Sequence, residues 1–399
     1  MNIFGIISEY NPFHMGHKHH IDQSRALLGE DSGVICVMSG NFVQRGEPAA
    51  FTKNARAECA VRGGADLVLE LPLPWAISSA EGFARGAVGI LASCGVVSHI
   101  SFGSESGNVE VLDDIAKLLL TPELDAIIKD TLSSGISYAA ARQIAAEKLA
   151  GRPLPEMKSP NNILGIEYIK ALYDQRSAIK PITVSRIGAG HDQSGGGDYP
   201  SASELRKRLG RGESVLANMP AECAGVLERE MHHGRGPVMG GALDIAIISR
   251  LRMLPQEVYE ALPDGGEGLG LRLFRAAKTE VSVDAVIAAA ATKRYALSRL
   301  RRMIMCAALG IGTGAGEGIP PYIRVLAANE KGCAILKKMK ERASLPIITK
   351  PAEINSLDAE AKAYFALESA ATDLFALGFS AREERKGDRD YRMSPIIIK

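Results

Sequence analysis

The chain has 399 residues, of which 46% are hydrophobic and 23% charged, and its 47 basic and 46 acidic side chains leave a net charge of +1. That balance excludes disorder as the main state, and the length exceeds one ordinary core, so two folded units, or three, are expected. With no global field to attract a polyanion, nucleic-acid binding would have to come from local basic patches.

"MNIFGIIS" reads as a buried strand, a short apolar run ended by polar residues and a proline. "HKHHIDQSRALL" follows with Ile21, Ala26, Leu27 and Leu28 at helical spacing. Then come strand "GVICVMSG", helix "KNARAECAVRGGA", strand "DLVLELPLP", helix "AEGFARGAVGILASCG" and strand "HISFGSE". Four alternations predict an α/β fold with a parallel sheet under covering helices, whose strand ends at Ser39-Gly40, Leu71-Pro72 and Phe102-Gly103 would open a ligand crevice. Residues 109–150 are helical in pattern, "SPNNILGIEYIKAL" starts a helix behind Ser159-Pro160, and "PITVSRIG" is a further strand. A glycine- and serine-rich loop, "AGHDQSGGGDYPSAS", then leads into a capped helix, "ELRKRL". Beyond about Ala221 the pattern is mainly helical, including "AVIAAAATKRYALSRLRRMIMCAAL" as one helix. The working division is a sheet domain over 1–220 and a helical domain over 221–399.

No run of about 18 uncharged apolar residues suggests a membrane span. Glu9, Asn11 and His14 come too early for a signal peptide, so a cytoplasmic location is expected. Six scattered cysteines without a C-x-x-C pair point to free buried thiols.

"SEYNPFHMGHKHH" places four of the eight histidines at the end of the first strand. His14 and His17 are three apart on an opening helix and share a face, where the helix dipole, free N–H groups and imidazole donors suit a triphosphate. Gly16 lets a ligand approach the backbone, and Pro12 sets the entry to the turn. His19 and His20 read equally well as surface or cap residues. A metal is the lesser alternative, because no acidic residue follows His14 in the zinc-protease pattern and no third ligand is evident. No metal site is assigned.

This H-x-G-H signature after a first strand resembles the nucleotidylyltransferase superfamily that also contains the class I aminoacyl-tRNA synthetases. There the two histidines act catalytically, holding the triphosphate and stabilising its charge. "SASELRKRL" is similar to that superfamily's second signature through Ser201, Ser203 and Arg206, although Ser201 and Glu204 alone also read as a plain capping box.

Six separated blocks, "GIISEYNPFHMGHKHH", "VMSGNFVQRGEPA", "DLVLELP", "SPNNILGIEYIKAL", "TKRYALSRLRRMI" and "LPIITKP", resemble the tRNA(Met) cytidine acetate ligases over nearly the whole chain. The resemblance implies a Rossmann-like nucleotidyltransferase domain followed by a mainly α-helical domain. It also implies that ATP activates acetate as acetyl-adenylate, which then acetylates the wobble cytidine of elongator tRNA(Met) in its anticodon region. ATP contacts are implied at Ile7, Ser8, Glu9, Tyr10, Asn11, Pro12, Phe13, His14, Met15, Gly16, His17, Lys18, His19 and His20, then at Gly103, Asn161 or Asn162, and Arg186, with Mg2+ accompanying ATP. A small-molecule adenylyltransferase, of nicotinate nucleotide or phosphopantetheine type, is the alternative.

In "SGNFVQRGEPAAFTK", Asn41, Gln44, Arg45 and Lys53 are expected to be exposed beside the acetate and cytidine pocket, a solvated loop being the alternative; Lys158 is a candidate for pyrophosphate. For tRNA, "TKRYALSRLRRM" offers Lys293, Arg294, Tyr295, Arg301 and Arg302 on one helix, cations for phosphates and an aromatic for an unpaired base. Arg206, Lys207, Arg208 and Arg211 form a second basic stretch, and Lys337, Lys338 and Lys340 a third.

Overall fold

The computed structural model describes residues 2–133, 135–186, 199–266, 268–292 and 294–399. The expected glycine-rich loop up to residue 198, and Lys293, lie outside the described residues. The chain begins with β1 (Ile3–Ser8), α1 (Met15–Leu28), β2 (Gly33–Ser39), a short hairpin of β3 (Phe42–Val43) and β4 (Glu47–Pro48), and α2 (Lys53–Arg62). It continues through β5 (Leu67–Leu71), α3 (Leu73–Ala76), α4 (Ala80–Ser93) and β6 (His99–Ser104). Helices α5 (Val109–Leu118), α6 (Glu123–Leu132), α7 (Tyr138–Ala150) and α8 (Pro160–Asp174) lead to β7 (Lys180–Ser185), and α9 (Ala202–Gly210) comes next.

These strands pair in parallel in the order β5-β2-β1-β6-β7. β2 and β5 are buried on both faces, as parallel strands covered by helices must be, and their sequences are accordingly near-continuous apolar runs. Close cover demands small residues: a Cβ on Gly5 of β1 would lie 2.5 Å from Leu91 of α4, and one on Gly165 of α8 would lie 2.5 Å from Phe102 of β6. Strand order reverses at β1, so the crevice of this sheet opens beyond the carboxyl ends of β1 and β6.

The second half supplies α10 (Ala221–His232), α11 (Asp244–Met253), α12 (Gln256–Glu260), α13 (Leu269–Thr279), α14 (Val283–Ala290) and α15 (Leu297–Leu309). It then returns to the sheet. β8 (Ile323–Ala328) pairs antiparallel with β5, and after α16 (Glu330–Arg342) the short β9 (Ile347–Ile348) pairs parallel with β8. α17 (Ala359–Ala376), α18 (Arg389–Arg392) and β10 (Ile396–Ile397), the last also parallel to β8, complete the chain. The sheet therefore runs across the 220/221 division: "IRVLAA" is a fully buried strand covering the open edge of β5. The single helix expected through residues 285–309 is also two helices. α14 ends at Ala290, the extended residues Ala291 and Ala296 bracket a connection, and the break lets α14 and α15 pack their apolar faces together in one core. Of the six cysteines, five are buried and Cys333 is exposed.

Lys53, at the start of α2, is 1% exposed rather than solvated. Its Nζ lies 2.6 Å from Glu70 of β5, 2.7 Å from Asp390 of α18 and 3.5 Å from Glu368 of α17. Arg324 of β8 reaches the same Glu70 at 2.9 Å and Asp390 at 3.0 Å. Burial, followed by the neighbouring Glu70, pushes Glu368 up to about 8, so it keeps its proton and two cations face two carboxylates. A neutral cluster is the form in which this many charges can be buried together.

Candidate active site

β1 delivers its last residues into the crevice, and α1 starts just beyond. His14 is the N-cap of α1: its Nδ1 accepts the Gly16 N–H at 3.0 Å, while the Nδ1 of His17 accepts the His14 N–H at 3.2 Å. The two rings lie 3.8 Å apart, and Tyr10 and Phe13 close around His17 at 4.9 and 5.5 Å. Gly16 is required for this fold-back, because a Cβ there would sit 2.8 Å from the His14 ring.

With Nδ1 accepting in both rings, the neutral tautomer carries its proton on Nε2, leaving two N–H donors for a ligand. The rings are neutral. Burial first, and Arg186 and Arg206 next, push His14 down to about 3. His17 is held well below the usual imidazole range by burial and then by His14. His20 is pushed down to about 4 by burial and then Arg186, and its Nε2 is paired with Ser101 Oγ at 2.9 Å, so part of this ring braces α1 against β6.

Across the crevice, Ser201 caps α9 by accepting the Glu204 N–H at 3.2 Å. Arg206 bridges the two sides, donating to the Asn11 carbonyl at 2.8 Å and to Ser203 Oγ at 3.2 Å. Both helix starts thus spend an N–H on their own side chains, which shifts anion binding from bare amides to imidazole and guanidinium. Arg186 follows β7, and Gly103 makes room for it, since a Cβ on Gly103 would lie 3.3 Å from Arg186 Cγ.

Asn11 is 2% exposed and lines the cleft; its Oδ1 accepts the Ala50 N–H at 2.8 Å, but its Nδ2 has no partner among the described residues. A buried, unused donor facing a cationic cleft fits an anionic ligand. Glu9 is the one carboxylate among the described residues lining this cleft, and no group of three or more His, Cys, Asp or Glu among the described residues is arranged to hold a metal ion. Among the described residues, Glu9 by itself does not build a protein-held Mg2+ site.

A family model described as HIGH Nucleotidyl Transferase matches residues 1–390. A curated tRNA(Met) cytidine acetate ligase of Acetivibrio thermocellus is 38% identical over 416 residues and covers 100% of both chains. One of Fervidobacterium nodosum is 40% identical, covering 91% of this chain and 87% of its own. This chain belongs to the tRNA(Met) cytidine acetate ligase family. Among solved structures, apo Thermotoga maritima TmcAL matches with a TM-score of 0.95 at 34% identity, covering 100% of each chain. The same protein bound with alpha-thio ATP matches with a TM-score of 0.92 at 34% identity.

Of the positions that resemblance to the tRNA(Met) cytidine acetate ligases singles out, Ile7, Ser8, Glu9, Tyr10, Asn11, His14, His17, His20, Gly103, Asn161 and Arg186 line one cleft together with Ser203 and Arg206 of the superfamily-like second signature, and Gly16 and His19 line its adjoining pocket. Gln44 and Arg45 join them. Other positions depart from expectation. Phe13 is buried packing, and Lys18 points along α1 to Asp22 at 3.0 Å. Asn162 is buried and is not among the residues lining the cleft: its Oδ1 accepts the Glu105 and Ser106 N–H groups at 2.9 and 3.1 Å. Glu105 reciprocates by accepting the Asn162 N–H at 2.9 Å and the Asn161 side-chain N–H at 2.6 Å, so it occupies the start of α8.

Asn41 is buried, accepting the Lys53 N–H at 2.8 Å and donating to Thr372 at 3.0 Å, which removes it and Lys53 from the substrate side. Lys158 is exposed in a turn before α8 and is not among the residues lining the cleft. Arg294 and Tyr295 lie in the connection before α15 rather than on a helix. Arg301 is paired with Glu47 at 2.7 Å, and Arg302 with Asp264 at 3.3 Å. Sequence reasoning missed Glu105 and Tyr168. For Glu105 the only signal was its place just past a strand end, and Tyr168 has the spacing of a helix-core residue.

Proposed function

We infer that this chain is an ATP-dependent ligase that activates acetate as acetyl-adenylate and transfers the acetyl group to the exocyclic 4-amine of the wobble cytidine of elongator tRNA(Met). The observation that carries this reading is the cleft in which two neutral imidazole N–H groups, Arg186, Arg206 and the unused Asn11 amide converge. In the first step an acetate oxygen attacks the α-phosphorus and pyrophosphate leaves. The charge that builds is spread over phosphate oxygens, so positioned donors stabilise it without a covalent protein nucleophile. His14 and His17 supply donors that need no reorganisation because backbone N–H groups hold their Nδ1 atoms. Mg2+ accompanying ATP would offset phosphate charge, with no ligand assigned to it among the described residues.

Residues 221–399 form the tRNA-facing half in this reading, supported by exposed Lys337, Lys338 and Lys340 on α16 and by Arg294 and Tyr295. Arg301 would contact phosphate only after leaving Glu47. No helix among the described residues is long and apolar enough to cross a membrane; a tRNA substrate supports a cytoplasmic location in this reading. A small-molecule adenylyltransferase is disfavoured by relatives that match from end to end. The test is mass spectrometry of tRNA nucleosides after incubation with ATP and acetate, together with acetate-dependent exchange of pyrophosphate into ATP. Both N4-acetylcytidine and acetate-dependent exchange are expected; exchange without acetate, and no modified cytidine, would favour the small-molecule reading.

A further inference from the structure

The cleft extends beyond the histidine pocket into an arm walled by Ala80, Phe83, Phe102 and Tyr168 and reached by Glu9 and Gln44. None of these six lines the histidine pocket. Glu9 is anchored at both ends: its carbonyl accepts from Arg56, and its Oε1 accepts the Gln44 N–H at 2.9 Å. No hydrogen bond or ion pair engages its Oε2 among the described residues. Tyr168 is 4% exposed and meets Phe102 edge-on at 5.8 Å, and its hydroxyl has no hydrogen-bond partner among the described residues. Burial, and then the charge of Glu9, pushes that hydroxyl upward, so it stays a donor beside the carboxylate.

An aryl amine next to a ring nitrogen presents N–H donors, an acceptor and two flat faces. The arm presents a carboxylate oxygen, a phenolic donor and aromatic walls in complement. We propose that this arm holds the acceptor cytosine, with Glu9 Oε2 accepting an N–H of its 4-amine and the Tyr168 hydroxyl donating to the adjacent ring nitrogen. The inference rests on the acetylation reading above. As the amine attacks, its nitrogen bonds to the acyl carbon and the bond from that carbon to the AMP oxygen breaks. AMP leaves with the electron pair, and the amine proton passes to Glu9 and on to water.

Adenine offers a similar edge, but its amine loses no proton in the reaction, so a carboxylate base is wasted on it. Gln44 and Arg45 of the β3–β4 turn also line this cleft, and Arg301 of α15 ties that hairpin through Glu47 at 2.7 Å to the second half of the chain.

Glu9→Gln keeps an oxygen for the Gln44 N–H and removes the base. With full-length enzyme, acetate-dependent pyrophosphate exchange and single-turnover acetyl transfer to tRNA are measured side by side. The ratio of transfer to exchange is expected to fall at least 100-fold in Glu9→Gln, and transfer kcat/KM about tenfold in Tyr168→Phe. Equal loss of exchange and transfer in Glu9→Gln would place adenine in the arm and overturn the proposal, as would transfer unchanged in both variants. Wild-type enzyme lacking acetate-dependent exchange would instead refute the functional reading, a result independent of either variant.

Discussion

His14, His17 and His20 stay neutral where free imidazoles would begin to take up protons, and this has a thermodynamic sign. An unfolded imidazole titrates near 6.5, whereas burial and the nearby guanidinium groups hold these rings lower, His14 to about 3 and His20 to about 4. Below about pH 6.5 the unfolded chain therefore binds protons that the folded chain refuses. Their contribution to stability is full above that pH and is lost as pH falls, by about 1.4 kcal/mol per unit for each ring. Urea midpoints measured from pH 7 to 5 should fall less steeply for His14→Asn than for wild type. Parallel slopes would mean that the ring is already protonated in the fold. A bound triphosphate supplies the missing counter-charge and should flatten the wild-type slope.

At the start of α1, a helix terminus serves chemistry through its cap. The His14 ring folds back onto the Gly16 N–H, and the space for it exists only because residue 16 has no side chain. Gly16→Ala would place a methyl group 2.8 Å from the ring and turn Nε2 away from the cleft. Because about 1 Å of misplacement at a reacting centre costs about 100-fold, acetate-dependent exchange should drop by that order. The thermal midpoint should move little, since alanine favours the helix. A variant that keeps full exchange would show that ring orientation is not what Gly16 secures. The opposite start, at α9, is a plain serine cap, and its Ser201 also borders the cleft.

For the whole molecule, the buried cluster of Lys53, Glu70, Arg324, Glu368 and Asp390 ties α2 and β5 to β8, α17 and α18, elements more than 250 residues apart in sequence. Lys53→Met would leave carboxylates buried without their cation and should cost about 3–5 kcal/mol. Glu368→Gln, which mimics the protonated acid, should cost under about 1.5 kcal/mol, within the range of one hydrogen bond. Thermal unfolding of the two variants checks this, and equal midpoints would remove the cluster as a tie between the halves. The sequence by itself determined the alternating first half and the strand-to-helix turn that carries His14 and His17, because apolar periodicity and a five-residue stretch such as "FHMGH" depend on neighbours along the chain. It also showed the basic stretches, but not that Arg301 and Arg302 are held by Glu47 and Asp264. Only tertiary structure decided that "IRVLAA" closes the sheet edge, that Asn41 and Lys53 are interior, that Asn162 serves the Glu105 loop, and that Glu9 and Tyr168 share an arm of the cleft. Those outcomes depend on which distant segment supplies a hydrogen-bond partner or a covering face, and no local pattern carries that information.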